Sequence, residues 1–200
     1  MLVDARDPER ATGFADLCCG LSSLGRGEIR FLGRDWARMP HRYAERLRGR
    51  IGRTFVTGAW ADMMDMERNI LLPQLHHSGR DQATLCEQAA ELALHFGLPG
   101  LPMGRPRELS AADLARAGCV RAFLGEPALL ILESPTRTFG DLVSLIISAL
   151  ARARDRGAAA LWLTRSDRVW HDHSVPATRR MHLHETGLVA VRHATEAIVA

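Results

Sequence analysis

Three groups of residues have the types and spacing to do chemistry. The first is Glu133-Ser134-Pro135-Thr136, which follows a continuous apolar run at 128–132. That run is too short for a typical helix and lies between Pro127 and Pro135, the pattern of a buried parallel strand. Polar groups would then emerge at the strand's carboxyl end, where open α/β sheets bind ligands. The second group is Leu109-Ser110-Ala111-Ala112-Asp113. Ser110 can cap a helix, and Asp113 three residues on approximates a capping box. The helix carries Leu114, Ala117 or Gly118, Arg121 and Ala122 on successive turns and stops before Gly125. The third group is two His-x-His pairs, His171 with His173 and His182 with His184. On a strand the second pair would share a face and could ligate a metal. No cysteine stands near them and no acidic ligand is placed, so surface histidines are the plainer reading and no metal is expected.

The elements that must hold these groups alternate between strand and helix. A strand end at 1–4 and a helix from Pro8 to Cys19 open the chain, followed by a turn-rich loop at 20–27 and a short strand at 28–31. A short basic helix at 40–50 carries Arg42, Arg46, Arg48 and Arg50, read as a solvated face; a nucleic-acid patch would want more charge and interleaved aromatics. A strand follows at 51–56, then a helix at 81–96 closed by Gly97, and a Pro/Gly-rich link at 98–107 leads to Ser110. After Thr136 come an amphipathic helix at 141–156, an apolar strand at 159–164, and strands at 180–184 and 188–192 joined by Glu185-Thr186-Gly187. The order implies one domain with a parallel α/β sheet and a helical insertion over about 65–124, between core segments 1–64 and 125–200.

Composition is that of a globular chain, 46% hydrophobic and 24% charged over 200 residues. No apolar run is long enough to span a membrane, and no signal-peptide pattern opens the chain. The cytoplasm is the expected location, peripheral to the inner face of a membrane if a membrane partner exists. Cys18, Cys19, Cys86 and Cys119 form no CxxC pair and suit buried thiols. All 26 basic residues are arginine.

The stretch from Leu109 to Thr136 resembles the second half of an ATP-binding cassette, the nucleotide-binding subunit of ABC transporters. That family reads LSGGQ-x-x-R-x-x-x-A-R-A, a Pro, four apolar residues and D-E-P-T. Leu109, Ser110, Arg116, Arg121, Ala122, Pro127, Pro135 and Thr136 match. The signature glycines are Ala111 and Ala112, the signature Gln is Asp113, and the Asp-Glu pair is Glu133-Ser134. Cys19-Gly20-Leu21, Arg26-Gly27-Glu28-Ile29 and Glu67-Arg68-Asn69-Ile70-Leu71-Leu72-Pro73 extend the likeness, which covers about 17–191; ERNILLP is similar to the lipid- and lipoprotein-export branch. The resemblance implies a P-loop NTPase-like (RecA-like) α/β fold with a helical insertion subdomain, lacking most of the N-terminal antiparallel strands. It also implies an N-terminally truncated and degenerate member.

The matched positions have lost the chemistry. A P-loop needs a lysine ammonium on the β- and γ-phosphates, and the chain contains none. That position is Ala11, its hydroxyl neighbour is Thr12, and the phosphate-nest glycines are Ala5, Pro8 and Arg10. The magnesium-binding Asp is Glu133, one methylene longer and still able to hold a hydrated ion. The catalytic Glu is Ser134, the γ-phosphate His is Arg165, the Q-loop Gln is Val56 and the D-loop Asp is Gly140. The resemblance therefore implies a subunit that does not hydrolyse ATP and serves an active cassette, or a second copy of itself head to tail, together with a membrane permease that docks on 60–66 around Trp60, Met63, Met64 and Met66. ATP and magnesium are candidate ligands, neither firmly expected. Two alternatives stand beside it: residual ATP binding or hydrolysis through an arginine-based phosphate site of Arg6, Arg10 or Arg165, and a soluble scaffold free of any transporter.

Overall fold

The computed structural model describes residues 1–136 and 140–191. Strand β1 (Leu2–Asp4) leads into helix α1 (Pro8–Cys18), short strands β2 (Arg30–Phe31) and β3 (Arg34–Asp35), and helix α2 (His41–Arg48). Strand β4 (Ile51–Thr54) is followed by three helices, α3 (Met66–His77), α4 (Gln82–His95) and α5 (Ala111–Phe123). Strand β5 (Leu129–Glu133), helix α6 (Leu142–Asp155), strand β6 (Ala159–Thr164), helix α7 (Asp167–His171) and strands β7 (Arg180–His184) and β8 (Gly187–Ala190) follow.

Six strands form one sheet in the order β4-β5-β6-β1-β7-β8. Pairing is parallel from β4 through β7, and β8 closes the edge antiparallel. The α/β sheet expected from the alternation of elements is present, and β2 and β3 pair separately as an antiparallel ribbon. Two local differences have identifiable causes. Strand β4 stops at Thr54 rather than Val56, because a turn in which the Gly58 N–H donates to the Phe55 carbonyl at 3.1 Å draws the chain off the sheet. Helix α7 is too short to leave a periodic signal; its start is set by Ser166, whose hydroxyl accepts from the Val169 N–H. Strand β8 spans Gly187–Ala190, and Arg192 of the expected strand lies outside the described residues.

Alternation along β5 divides the core. Leu130 and Leu132 face the layer of α3 to α6, whereas Ile131 faces α1 with Val3, Ala5, Leu161 and Leu163. Helix α1 offers only small buried residues, Ala11 and Ala15, so its backbone lies close to the sheet. Thr12 and Asp16, four residues apart, share the neighbouring stripe and reach toward the carboxyl ends of β4 and β5. On the opposite face, Gly52 of β4 lets α5 pack directly on the strand: a Cβ there would sit 1.7 Å from the Ala122 carbonyl oxygen. Replacing Gly52 by Ala is therefore expected to destabilise the fold by about 1–3 kcal/mol through overpacking. Urea unfolding of the variant checks this, as a lower midpoint at unchanged slope.

Candidate functional site

The carboxyl ends of β4 and β5 and the amino half of α1 meet at a buried charge cluster. Arg53 is on β4 with the same parity as Ile51, and Glu133 closes β5 with the same parity as Ile131, so both side chains point toward α1. Arg53 is 7% exposed and Glu133 is 1% exposed. The Arg53 Nε donates to Glu133 Oε1 at 2.5 Å, and Nη1 donates to Asp16 Oδ1 at 2.6 Å. Nη2 reaches the Thr12 carbonyl at 3.5 Å, while the Thr12 hydroxyl donates to Glu133 Oε2 at 2.9 Å. The Glu133 backbone N–H donates to the Thr54 hydroxyl at 2.9 Å. Burial opposes the Arg53 charge, but hydrogen bonds to Glu133 and Asp16 outweigh it and the pKa is raised. The guanidinium also lies over the Phe55 ring, 4.6 Å from its centroid.

The amino end of α1 is sealed by its own side chain. Only Ala5, Arg6 and Asp7 link β1 to α1, and Asp7 caps the helix by accepting from the N–H groups of Glu9 at 2.9 Å and Arg10 at 3.2 Å. Pro8, the first helical residue, has no N–H to offer. The Arg10 backbone hydrogen bond leads the effects that hold the Asp7 carboxyl below its usual range, with the Arg10 and Arg165 charges adding to it.

A nucleoside triphosphate with magnesium does not fit these residues. Free N–H groups at a helix amino end bind phosphate, and here the Asp7 carboxylate has already taken them. Glu133, a residue type still able to hold a hydrated ion, is instead bound by Arg53, and the guanidinium fills the space beside it. Arg6 and Arg10, two candidates for the alternative arginine-based phosphate site, are committed elsewhere. Arg6 pairs with Asp4 at 2.7 Å and with Asp167, and Arg10 pairs with Asp7 at 3.4 Å and Glu185 at 3.3 Å. Arg165 lies half-buried just after β6.

The other expected site residues are also located. Thr12 and Glu133 come together, as above, whereas Ala11 is buried in the face of α1. Ser134 adopts a left-handed backbone with φ of 45°, and its N–H donates to the Leu163 carbonyl at 2.8 Å. Its hydroxyl turns to the same carbonyl at 3.4 Å. Val56, Ala111, Ser134 and Gly118 line one cleft of about 280 Å³ between the β4 exit loop and α5. Ser110 caps α5 by accepting from the Asp113 N–H at 3.1 Å and donating to the Asp113 carboxylate at 2.8 Å. Ala112 and Leu109 flank it, half-buried. Gly140 lies beside Arg168: a Cβ there would sit 3.4 Å from its guanidinium.

The 60–66 stretch is more ordered than a flexible methionine surface. Met66 is wholly buried and Met64 half-buried; Met63 alone of the three projects, 94% exposed. Asn69 binds the backbone of Ala61, Met64 and Asp65 through its amide, and Arg121 stacks on Trp60 at 4.0 Å while donating to the Gly58 and Ala59 carbonyls. Burial lowers the Arg121 pKa to about 10. His182 and His184 share a face of β7, and His182 lies 3.2 Å from the Asp4 carboxylate. Among the described residues no three His, Cys, Asp or Glu side chains group to hold a metal. Cys19 is buried and Cys18 half-buried, and burial pushes both thiols up to about 11.

Arg53 was not singled out in the sequence, although a signal existed. A charged residue stands at an inward position of the apolar strand 51–56, two residues beyond Ile51, and another ends the strand that closes on Glu133.

The architecture is that of an ATP-binding cassette. The bacterial ABC transporter cassette MJ0796, in its dimeric structure, superposes with a TM-score of 0.77 at 15% identity, over 90% of this chain and 79% of that one. At that identity the likeness shows the fold alone. By sequence the chain is 33% identical over 137 residues to the methionine import ATP-binding protein MetN of Rhizobium etli, covering 68% of this chain and 38% of that protein. It is 27% identical over 128 residues to the cell division ATP-binding protein FtsE of Escherichia coli, covering 64% of this chain and 57% of that protein. The chain thus spans less than two thirds of the length of these relatives. No family model matches it. The chain carries an ATP-binding cassette domain of the ABC transporter family.

Removing Arg53 alone leaves the Glu133 carboxylate buried and uncompensated. Arg53→Met is expected to lower unfolding free energy by roughly 3–5 kcal/mol. The double variant Arg53→Met with Glu133→Gln recovers a large part of that loss, because no fully buried charge is then stranded and Asp16 keeps contact with water. Urea denaturation of the two variants and the parent checks both statements.

Proposed function

We propose that this chain is an ABC-transporter cassette subunit that does not hydrolyse ATP and acts as a structural or regulatory partner of an active cassette and a membrane permease. The observation that carries the reading is the Asp7 carboxylate seated on the amino end of α1, in a chain without lysine. Phosphate would have to displace a carboxylate and would meet no ammonium. Ser134 offers no base for an attacking water near neutral pH. The cassette relatives, named for methionine import and cell division, support attachment to a membrane system. No helix among the described residues is long and apolar enough to cross a membrane, so attachment would be peripheral, on the cytoplasmic side.

The active cassette, or a second copy, would meet the Ser110 end of α5, and the permease would meet the loop at 60–66. Helices α3 to α5 serve in this reading as a helical subdomain over about 65–124 inserted in the α/β core. Met63 supplies one adaptable apolar contact there, and Trp60, fixed by Arg121, supplies a rigid base. That exposed methionine favours a transporter role over a free scaffold. Retained ATP binding is disfavoured by the ion pairs that hold Arg6 and Arg10.

The test is phosphate release and titration calorimetry with magnesium-ATP on the purified chain. Release at the buffer rate and no binding heat up to millimolar ATP are expected. Magnesium-dependent turnover that persists through repeated purification overturns the proposal.

A further inference from the structure

The charge cluster supports an inference beyond the proposed function, and independent of it. Glu133 Oε1, Asp16 Oδ1 and the Thr12 carbonyl, from two elements, ring the volume that the Arg53 guanidinium enters, and the Thr12 hydroxyl bonds to Glu133 Oε2. Five oxygen atoms from two carboxylates and one threonine are the donor chemistry that hard divalent cations select. The volume is not open, because the Arg53 guanidinium enters it from β4 and bonds to three of those oxygens. Arg53 reaches there only because β4 and β5 are parallel neighbours in register, with Arg53 opposite Ile131 and Glu133 two residues further on.

We propose that Arg53 is a built-in cation, filling an oxygen cage of Glu133, Asp16 and Thr12 that a divalent metal would otherwise take, so that the centre of the fold is held closed without any ligand. A tethered guanidinium has advantages over a metal in this setting. It is permanently charged, it satisfies two carboxylates with directed N–H bonds, and it cannot dissociate. Buried carboxylates demand a counter-charge, and the chain supplies that charge from its own strand. The four residues involved come from three separate stretches, and Arg53 is the only cation among them.

The consequence is an exchange: take Arg53 away and a divalent ion should restore what it did. The Arg53→Met variant is titrated with manganese, read by electron paramagnetic resonance for bound ion and by thermal melting for stability. The parent protein is expected to bind no manganese and to melt at a manganese-independent temperature. Arg53→Met is expected to bind one manganese ion per chain and to melt at a temperature that rises with manganese concentration. The double variant with Glu133→Gln, which strands no fully buried charge, is expected to fold and to lose the manganese response. A parent protein that binds manganese as the variant does overturns the proposal. An Arg53→Met chain that binds none also overturns it, as does one that stays insoluble with and without manganese while the double variant folds. ATP turnover by the parent protein would defeat the proposed function and leave this result unaffected, so the two failures are distinguishable.

Discussion

The constraint on which the centre of this molecule depends is electrical neutrality around a carboxylate at the end of a buried strand. Glu133 sits at 1% exposure between α1 and the sheet, and water cannot neutralise it there. Arg53 provides the counter-charge, and Asp16 then limits where the guanidinium can point. Those two ion pairs tie β4, β5 and α1 together at the level where other open α/β sheets receive their ligands. The small faces of Ala11 and Ala15 follow from the same demand, since only a helix lying close to the sheet brings Thr12 and Asp16 into reach.

The rest of the upper surface is arranged in the same self-sufficient way. Asp7 satisfies the amino end of α1, and Arg48 answers its other end by donating to the Cys19 carbonyl at 3.2 Å and the Gly20 carbonyl at 2.7 Å. Arg121 holds the exit of β4 by binding two carbonyls and stacking on Trp60. In each case an arginine or aspartate of the chain meets backbone groups at the end of a helix or strand. The cassette framework is kept, with its strand order and the helices between β4 and β5. The polar groups at the carboxyl ends of β4 and β5 are bonded to one another.

Much of this was legible in the sequence where local signals are strong. The apolar run before Glu133, the Ser110 cap and the Gly157 stop each have a short-range cause, and β5, α5 and α6 lie where those signals put them. The family frame came from separated motifs in order, and it grouped Thr12 with Glu133, two residues that meet across 121 residues of chain. What stayed hidden was pairing that depends on the third dimension. Arg53 read as one more charge in a chain rich in arginine, because its partners lie on another strand and another helix. Met63, Met64 and Met66 read equally as packing filler or as surface, and the fold divides them: Met66, the first residue of α3, turns inward while Met63 projects. Arg6 and Arg10 read as available cations because Asp167 and Glu185 are more than 160 residues away in the chain.

The three-residue link between β1 and α1 has a further consequence, for how such a chain can be altered. Ala11 is 3% exposed on the sheet-facing side of α1, so a lysine placed there would drive its ammonium into the packed interface and away from the helix mouth. Clearing Asp7 would free backbone donors but leave no loop long enough to curl around an anion. A phosphate cradle at this end of the molecule therefore requires more loop than β1 and α1 leave between them, as well as new side chains. Residues 8–11, which the family's spacing would place in that loop, form the first turn of α1, so that turn would have to unwind.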